Sequence, residues 1–141
     1  MSEILVNKLT GTSTAGSILV TGEGNSTTTN LQQGLAKVWA SVDQNSTGHP
    51  VYDSFNVSAT ADIATGVTKI TFSNVMSNAN YALSGAGQTQ NSSSTTLGLW
   101  AKSTDSSRQM TTADFHTSNR NASGTDTDTT YFGFDVNGDL A

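Results

Sequence analysis

The heptapeptide VTKITFS, residues 67–73, alternates without a fault. Thr68, Ile70 and Phe72 share one parity and Val67, Lys69 and Thr71 the other, which is the period-two pattern of a strand with one face buried. It sits inside the stretch from Leu35 to Ala86, where apolar alternation is densest and turn signals recur at short spacing. Such a stretch constrains the chain to sheets. Composition agrees: 23 Thr, 19 Ser and 12 Asn stand against 12% charged residues. Thr suits strands, Ser, Asn and Gly suit turns, and strong helix formers are scarce. Apolar residues make up only 34% of the chain, but they gather into alternating runs rather than being diluted as in disorder.

Further strands are expected at Val51–Ser58, Tyr81–Ala86, Thr95–Lys102, Gln109–Thr117 and Thr130–Val136, with turns or loops at 44–50, 61–66, 74–80 and 88–94. In 74–80, Val75 and Met76 are expected to plug one end of the core. Residues 31–42 are ambiguous. Leu31, Leu35, Val38, Trp39 and Val42 have helical spacing, while Ala36, Val38, Ala40 and Val42 alternate as in a strand. A helical turn over 30–35 followed by a strand over 36–43 is preferred to one helix over 31–42. Seven or eight short strands after residue 30, without crossover helices, predict an antiparallel β-sandwich of jelly-roll-like type. Its expected core is Trp39, Phe55, Val57, Ile70, Phe72, Tyr81, Leu83, Leu97, Leu99, Met110, Phe115, Phe132 and Phe134.

Residues 1–29 read differently. Short apolar strands are expected at 4–9 (ILVNKL) and 17–21 (SILVT), followed by a linker at 22–30. Two strands of that length do not fold alone. Ile4, Leu5, Val6, Ile18, Leu19 and Val20 are therefore candidate docking and oligomerisation residues of an extended N-terminal arm, with the sandwich domain spanning 30–141. Trp100 has the opposite parity to Leu97 and Leu99, so it is the candidate exposed contact, either at an interface or as a sugar-stacking platform.

The net charge of −5, with six scattered Lys and Arg, excludes the basic patch that nucleic acid requires. No apolar run approaches the ~20 residues of a membrane helix. The opening MSEILVNKLT carries an acid and breaks at once into Thr and Gly, so no cleaved leader is expected. Cysteine is absent, which rules out disulfides.

Catalytic and metal motifs fall short. Asp135, Asn137 and Asp139 open like a calcium loop, but Leu140 stands where the loop needs Gly. Asp126 and Asp128 read as a solvated hairpin tip. Asp114 and His116 share a strand face, yet no G-x-S-x-G elbow supplies a nucleophile. GEG at 22–24 and GAG at 85–87 lack the rest of a phosphate loop. Five sequons, at Asn25, Asn45, Asn56, Asn91 and Asn121, stand against the roughly three or four that so much Asn, Ser and Thr gives by chance, and without a secretory signal they carry little information. No catalytic residue, cofactor or metal is expected.

LQQGLAKVW followed by DSFNVSATADIATGVTKITFSNVMSNANYALS resembles a β-rich module of structural and tail-fibre proteins of tailed bacteriophages, frequent among marine phages. That module reads GLAKAW, DSFNVSS, a D-x-G-TG turn, an alternating strand and M-x-NANYAV. GDLA at 138–141 is similar to its GD-rich close, and ILVNKLTGTSTAGSILV resembles the lead-in of phage fibre and baseplate chains. The resemblance implies a virion protein that forms homotrimers, docks to other particle proteins through its arm and displays a knob, with a host-surface glycan as a candidate contact. A tail fibre or tail-associated position is expected first, head decoration or a head fibre second, and a free carbohydrate-binding module third. Many members of the family are larger than this chain.

Overall fold

The computed structural model describes residues 4–11, 18–21, 27–31, 34–88, 95–96, 110–121 and 123–141. The chain divides into two units, 1–35 and 36–141.

In the first unit, β1 (Leu19–Thr21) pairs antiparallel with β2 (Thr28–Asn30). The Leu31 amide extends the ladder by donating to the Ile18 carbonyl at 2.9 Å. Two expectations are corrected. Residues 4–11 form no strand, because no other described segment offers them a ladder and an unpaired strand leaves its backbone groups unsatisfied. The expected linker ends in β2, where the β-branched Thr28 and Thr29 favour extension. The Gly34 amide then donates to the Asn30 carbonyl at 3.1 Å, a single helical turn. No helix spans 31–42.

The second unit is an antiparallel β-sandwich. Its strands are β3 (Val38–Val42), β4 (Val51–Phe55), β5 (Val57–Ala64), β6 (Val67–Phe72), β7 (Ala82–Gln88), β8 (Thr95–Thr96), β9 (Asp114–His116) and β10 (Tyr131–Asn137). One sheet runs β4-β3-β10-β7-β8 and the other β5-β6-β9. Between them lie Val38, Ala40 and Val42 of β3, Ile70 and Phe72 of β6, Phe115 of β9, and Phe132, Phe134 and Val136 of β10. Met76 and Tyr81 add to the core from the β6–β7 connection. The rings interlock: Phe115 meets Phe134 edge to face at 5.1 Å, and Phe72 meets Tyr81 likewise at 5.8 Å. Each such pair contributes about 0.5–1.5 kcal/mol beyond burial.

Room for the Phe rings comes from β7. Gly85 stands opposite Phe134 and Gly87 opposite Phe132. A Cβ on Gly85 would fall 3.0 Å from that of Phe134. The alternation of large and small side chains across this ladder sets the sheet's register.

Several boundaries shift. The expected strand 51–58 is two strands, broken at Asn56, whose φ of 60° turns the chain from one sheet into the other. The expected turn at 61–66 is shorter, since β5 continues to Ala64 and the chain reverses at Thr65 and Gly66. The strand expected at 81–86 begins at Ala82 and runs on to Gln88, and that expected at 109–117 narrows to β9. Thr111 shortens the latter: its hydroxyl accepts from the Ala113 and Asp114 amides and holds a turn. Met76 is buried but its neighbour Val75 is exposed. Trp39 and Phe55 leave the expected core, because β3 turns Val38, Ala40 and Val42 inward and carries Trp39 outward with its partner. Leu97, Leu99 and Trp100 lie outside the described residues, as does the rest of the expected strand beyond β8.

Candidate functional site

The outer side of the five-stranded sheet carries an ordered set of side chains. Register places Phe55, Trp39, Asp135 and Ser84 in one row across β4, β3, β10 and β7. The next row on that side is Asp53, Ser41, Gly133 and Ala86. At the far end of β10 stands Tyr131, opposite Gln88. Tyr52 joins Tyr131 through an irregularity. Ser41 pairs with Asp53 but Val42 pairs with Val51, so Tyr52 is the extra residue of a bulge. Its ring stacks on Tyr131 with centroids 5.8 Å apart and an interplanar angle of 28°.

All four aromatic rings face solvent: Trp39 is 38% exposed, Phe55 52%, Tyr52 54% and Tyr131 53%. Between the two pairs the floor is low. A Cβ built on Gly133 meets nothing within 4 Å. The rows of Asp135 and Tyr131 lie four residue steps apart along β10, a distance of about 14 Å. The face is therefore a shallow valley with an aromatic pair at each end.

Its polar groups are held in place. Asp135 accepts from the Ser84 hydroxyl and from Asn137 Nδ2. Asp43, beside the tyrosines, accepts from the Ser46 hydroxyl at 2.8 Å and the Tyr52 hydroxyl at 3.1 Å, and the Asn45 amide donates to its other oxygen. The Ser46 hydrogen bond leads in holding the Asp43 carboxyl below its ordinary value, against partial burial. The Tyr52 phenol is pushed up by desolvation and by that carboxylate, so it stays a donor.

A second cluster lies inside the sandwich. Gln44, His49, Thr68, Asn119 and Thr129 are all buried. Gln44 Oε1 accepts from Asn119 Nδ2 and from the Thr129 hydroxyl, and Gln44 Nε2 donates to Thr68 Oγ1 at 2.8 Å. Thr68 Oγ1 lies 2.7 Å from His49 Nδ1, and His49 Nε2 lies 3.5 Å from Asp62 Oδ1. Thr68 Oγ1 is thus shared between Gln44 Nε2 and His49 Nδ1. A hydroxyl, an imidazole and a carboxylate in that order resemble a nucleophile set. Thr68 has no exposed surface, however, so no substrate reaches it here. The cluster ties the loop after β3 to β6 and to the segment after β9.

The other sequence candidates are dispersed. Asp126 pairs with Arg120 at 2.8 Å, while Asp128 accepts from the Gly66 amide. Asp114 pairs with Lys69 at 3.1 Å, and His116 stands opposite that Lys in the β6–β9 ladder. Among the described residues, no group of three or more His, Asp or Glu is placed to hold a metal ion, and no helix is long and apolar enough to cross a membrane. In the first unit, Ile4 is 86% and Leu5 83% exposed; Val6, Leu19 and Val20 are exposed and Ile18 half-buried. Trp100 lies outside the described residues.

Side-chain size alone points Trp39 and Phe55 into the core. The contrary signal is parity: Trp39 shares a face with Ser41, and Phe55 with Asp53, while the small apolar residues of β3 fall on the other side.

Comparison with protein-family models, with curated proteins and with solved structures returned no match to this chain.

Proposed function

We propose that this chain is a structural protein of a tailed-bacteriophage particle, a homotrimeric tail-fibre or tail-associated protein that docks through residues 1–29 and displays the sandwich outward. The observation that carries the reading is the state of the first unit. Among its described residues the only regular structure is two strands of three residues, and Ile4, Leu5, Val6, Leu19 and Val20 are exposed. An isolated two-stranded ribbon is marginal in water, and grouped exposed apolar side chains mark a surface that another chain covers. The weakly charged, Thr- and Ser-rich sandwich suits a body presented to solvent. Its partners on this reading are two further copies of itself and neighbouring virion proteins, and its place of action is the virion.

The test compares the full chain with residues 36–141. Sedimentation of the full chain should give the mass of a trimer and that of the shortened chain a monomer. In particles assembled from tagged protein, only the full chain should be incorporated. A full chain that sediments as a monomer, or a shortened chain incorporated equally well, would overturn the reading.

A further inference from the structure

We infer that the valley on the outer side of the five-stranded sheet binds a neutral oligosaccharide, with Tyr52 and Tyr131 stacking on it at one end and Trp39 and Phe55 at the other. The inference deepens the display role proposed above by naming a ligand class and a face. It does not depend on the arm.

Three features select this occupant. The first is shape. Exposed rings about 14 Å apart flank a floor opened by Gly133, a span that suits a few linked pyranose rings. Tyr and Trp offer rigid, amphipathic contact area at low entropic cost, which suits the apolar faces of a sugar. The second is charge. The rows present the carboxylates of Asp53 and Asp135, with Asp43 beside the tyrosines, and include no Lys or Arg. Carboxylates accept from sugar hydroxyls, whereas they repel uronates and sialic acids. A second copy of the same face would set Asp against Asp. The third is area. Four strands at about 4.8 Å spacing and three rows at about 7 Å give a face of roughly 350 Å². A stable protein interface needs about 800 Å² from each partner, so a small ligand fits the face better than a protein does.

Gly133 allows a sharp test. Its φ is not positive and its Cβ site is empty, so Gly133→Val fills the valley without touching the core. A β-branched residue in mid-strand should leave thermal stability equal or raised. The full chain would be titrated calorimetrically with neutral tetrasaccharides of glucose, mannose and galactose, and with tetragalacturonate as the anionic control. At least one neutral probe should bind more tightly than about 1 mM and the anionic one should not. Gly133→Val and Trp39→Ala should each weaken binding at least tenfold with the circular dichroism spectrum unchanged. Ile63→Ser, an exposed position on the other sheet, should leave it unaltered.

The inference is overturned if no neutral probe binds, if only the uronate binds, or if both valley variants bind as the parent does. It is equally overturned if Trp39→Ala instead abolishes self-association of the sandwich, since the face is then an interface between copies. None of these outcomes bears on docking by the arm, which is read by particle incorporation.

Discussion

Gly66 reverses the chain between β5 and β6 at a φ of +72°, and its missing side chain is needed twice over. A Cβ there would fall 2.6 Å from the Asn119 carbonyl oxygen and 2.7 Å from the Thr127 amide. Both contacts are backbone, so neither gives way as a flexible side chain would. The left-handed conformation costs a non-glycine residue about 1 kcal/mol, and the collision adds to it. Gly66→Ala should therefore destabilise the sandwich by more than about 2 kcal/mol, read as a lowered urea midpoint. Asp43 gives a prediction of a different kind. Its folded carboxyl titrates below its unfolded value of about 3.9. The native state thus favours the carboxylate. The stability this confers is complete above the unfolded value and is lost as pH falls through the folded one. Urea midpoints measured from pH 6 down to pH 2 should fall below about pH 4, and less steeply in Asp43→Asn than in the parent.

At the scale of elements, Asn56 is the joint between the sheets. Its side-chain amide donates to the carbonyls of Lys37 and Asn74, and its oxygen accepts from the Asn74 amide at 2.7 Å. Asn is among the few residues that accept a positive φ at modest cost. Asn56→Ala should cost about 2–4 kcal/mol, and Asn56→Gly less, because glycine restores the backbone freedom but not the hydrogen bonds; thermal unfolding would rank the three proteins. This joint also marks where the chain was hard to read. VYDSFNVS alternates straight through position 56, so one strand and two strands give the same pattern. A bulge at Tyr52 and a kink at Asn56 are single-residue events that periodicity averages away. β6 was legible because Ile70 and Phe72 are large and share one parity with no interruption. β3 was legible as a strand but not in its orientation. There the volume of Trp39 outweighed three small residues that together line the core better. The candidate face inherits that error. Trp39 and Phe55 read as interior by size and the tyrosines carry no signal of their own, and only the register of four strands brings the four rings into one valley.

At the scale of the molecule, assembly through the first unit has a thermodynamic signature. If residues 1–35 serve only to join copies and to dock, the unfolding midpoint of the full chain should rise with protein concentration, as dissociation precedes unfolding. That of residues 36–141 should not move. Scanning calorimetry at several dilutions distinguishes the two, and a concentration-independent full chain would remove the assembly role. The sandwich itself is closed by its own distant ends. β3 is held on one side by β4 but on the other by β10, whose pairing residues lie about ninety positions further along the chain. At a synthesis rate of about 5–20 residues per second, the ribosome delivers that partner some 5–20 seconds after β3 has emerged. Throughout that interval Val38, Ala40 and Val42 lack the Phe132, Phe134 and Val136 side chains that complete their core. A nascent chain of this design waits, unclosed and exposed to wrong partners, until its final strand arrives. Translation speed and chaperone supply in the producing cell should therefore govern its yield more than its finished stability does.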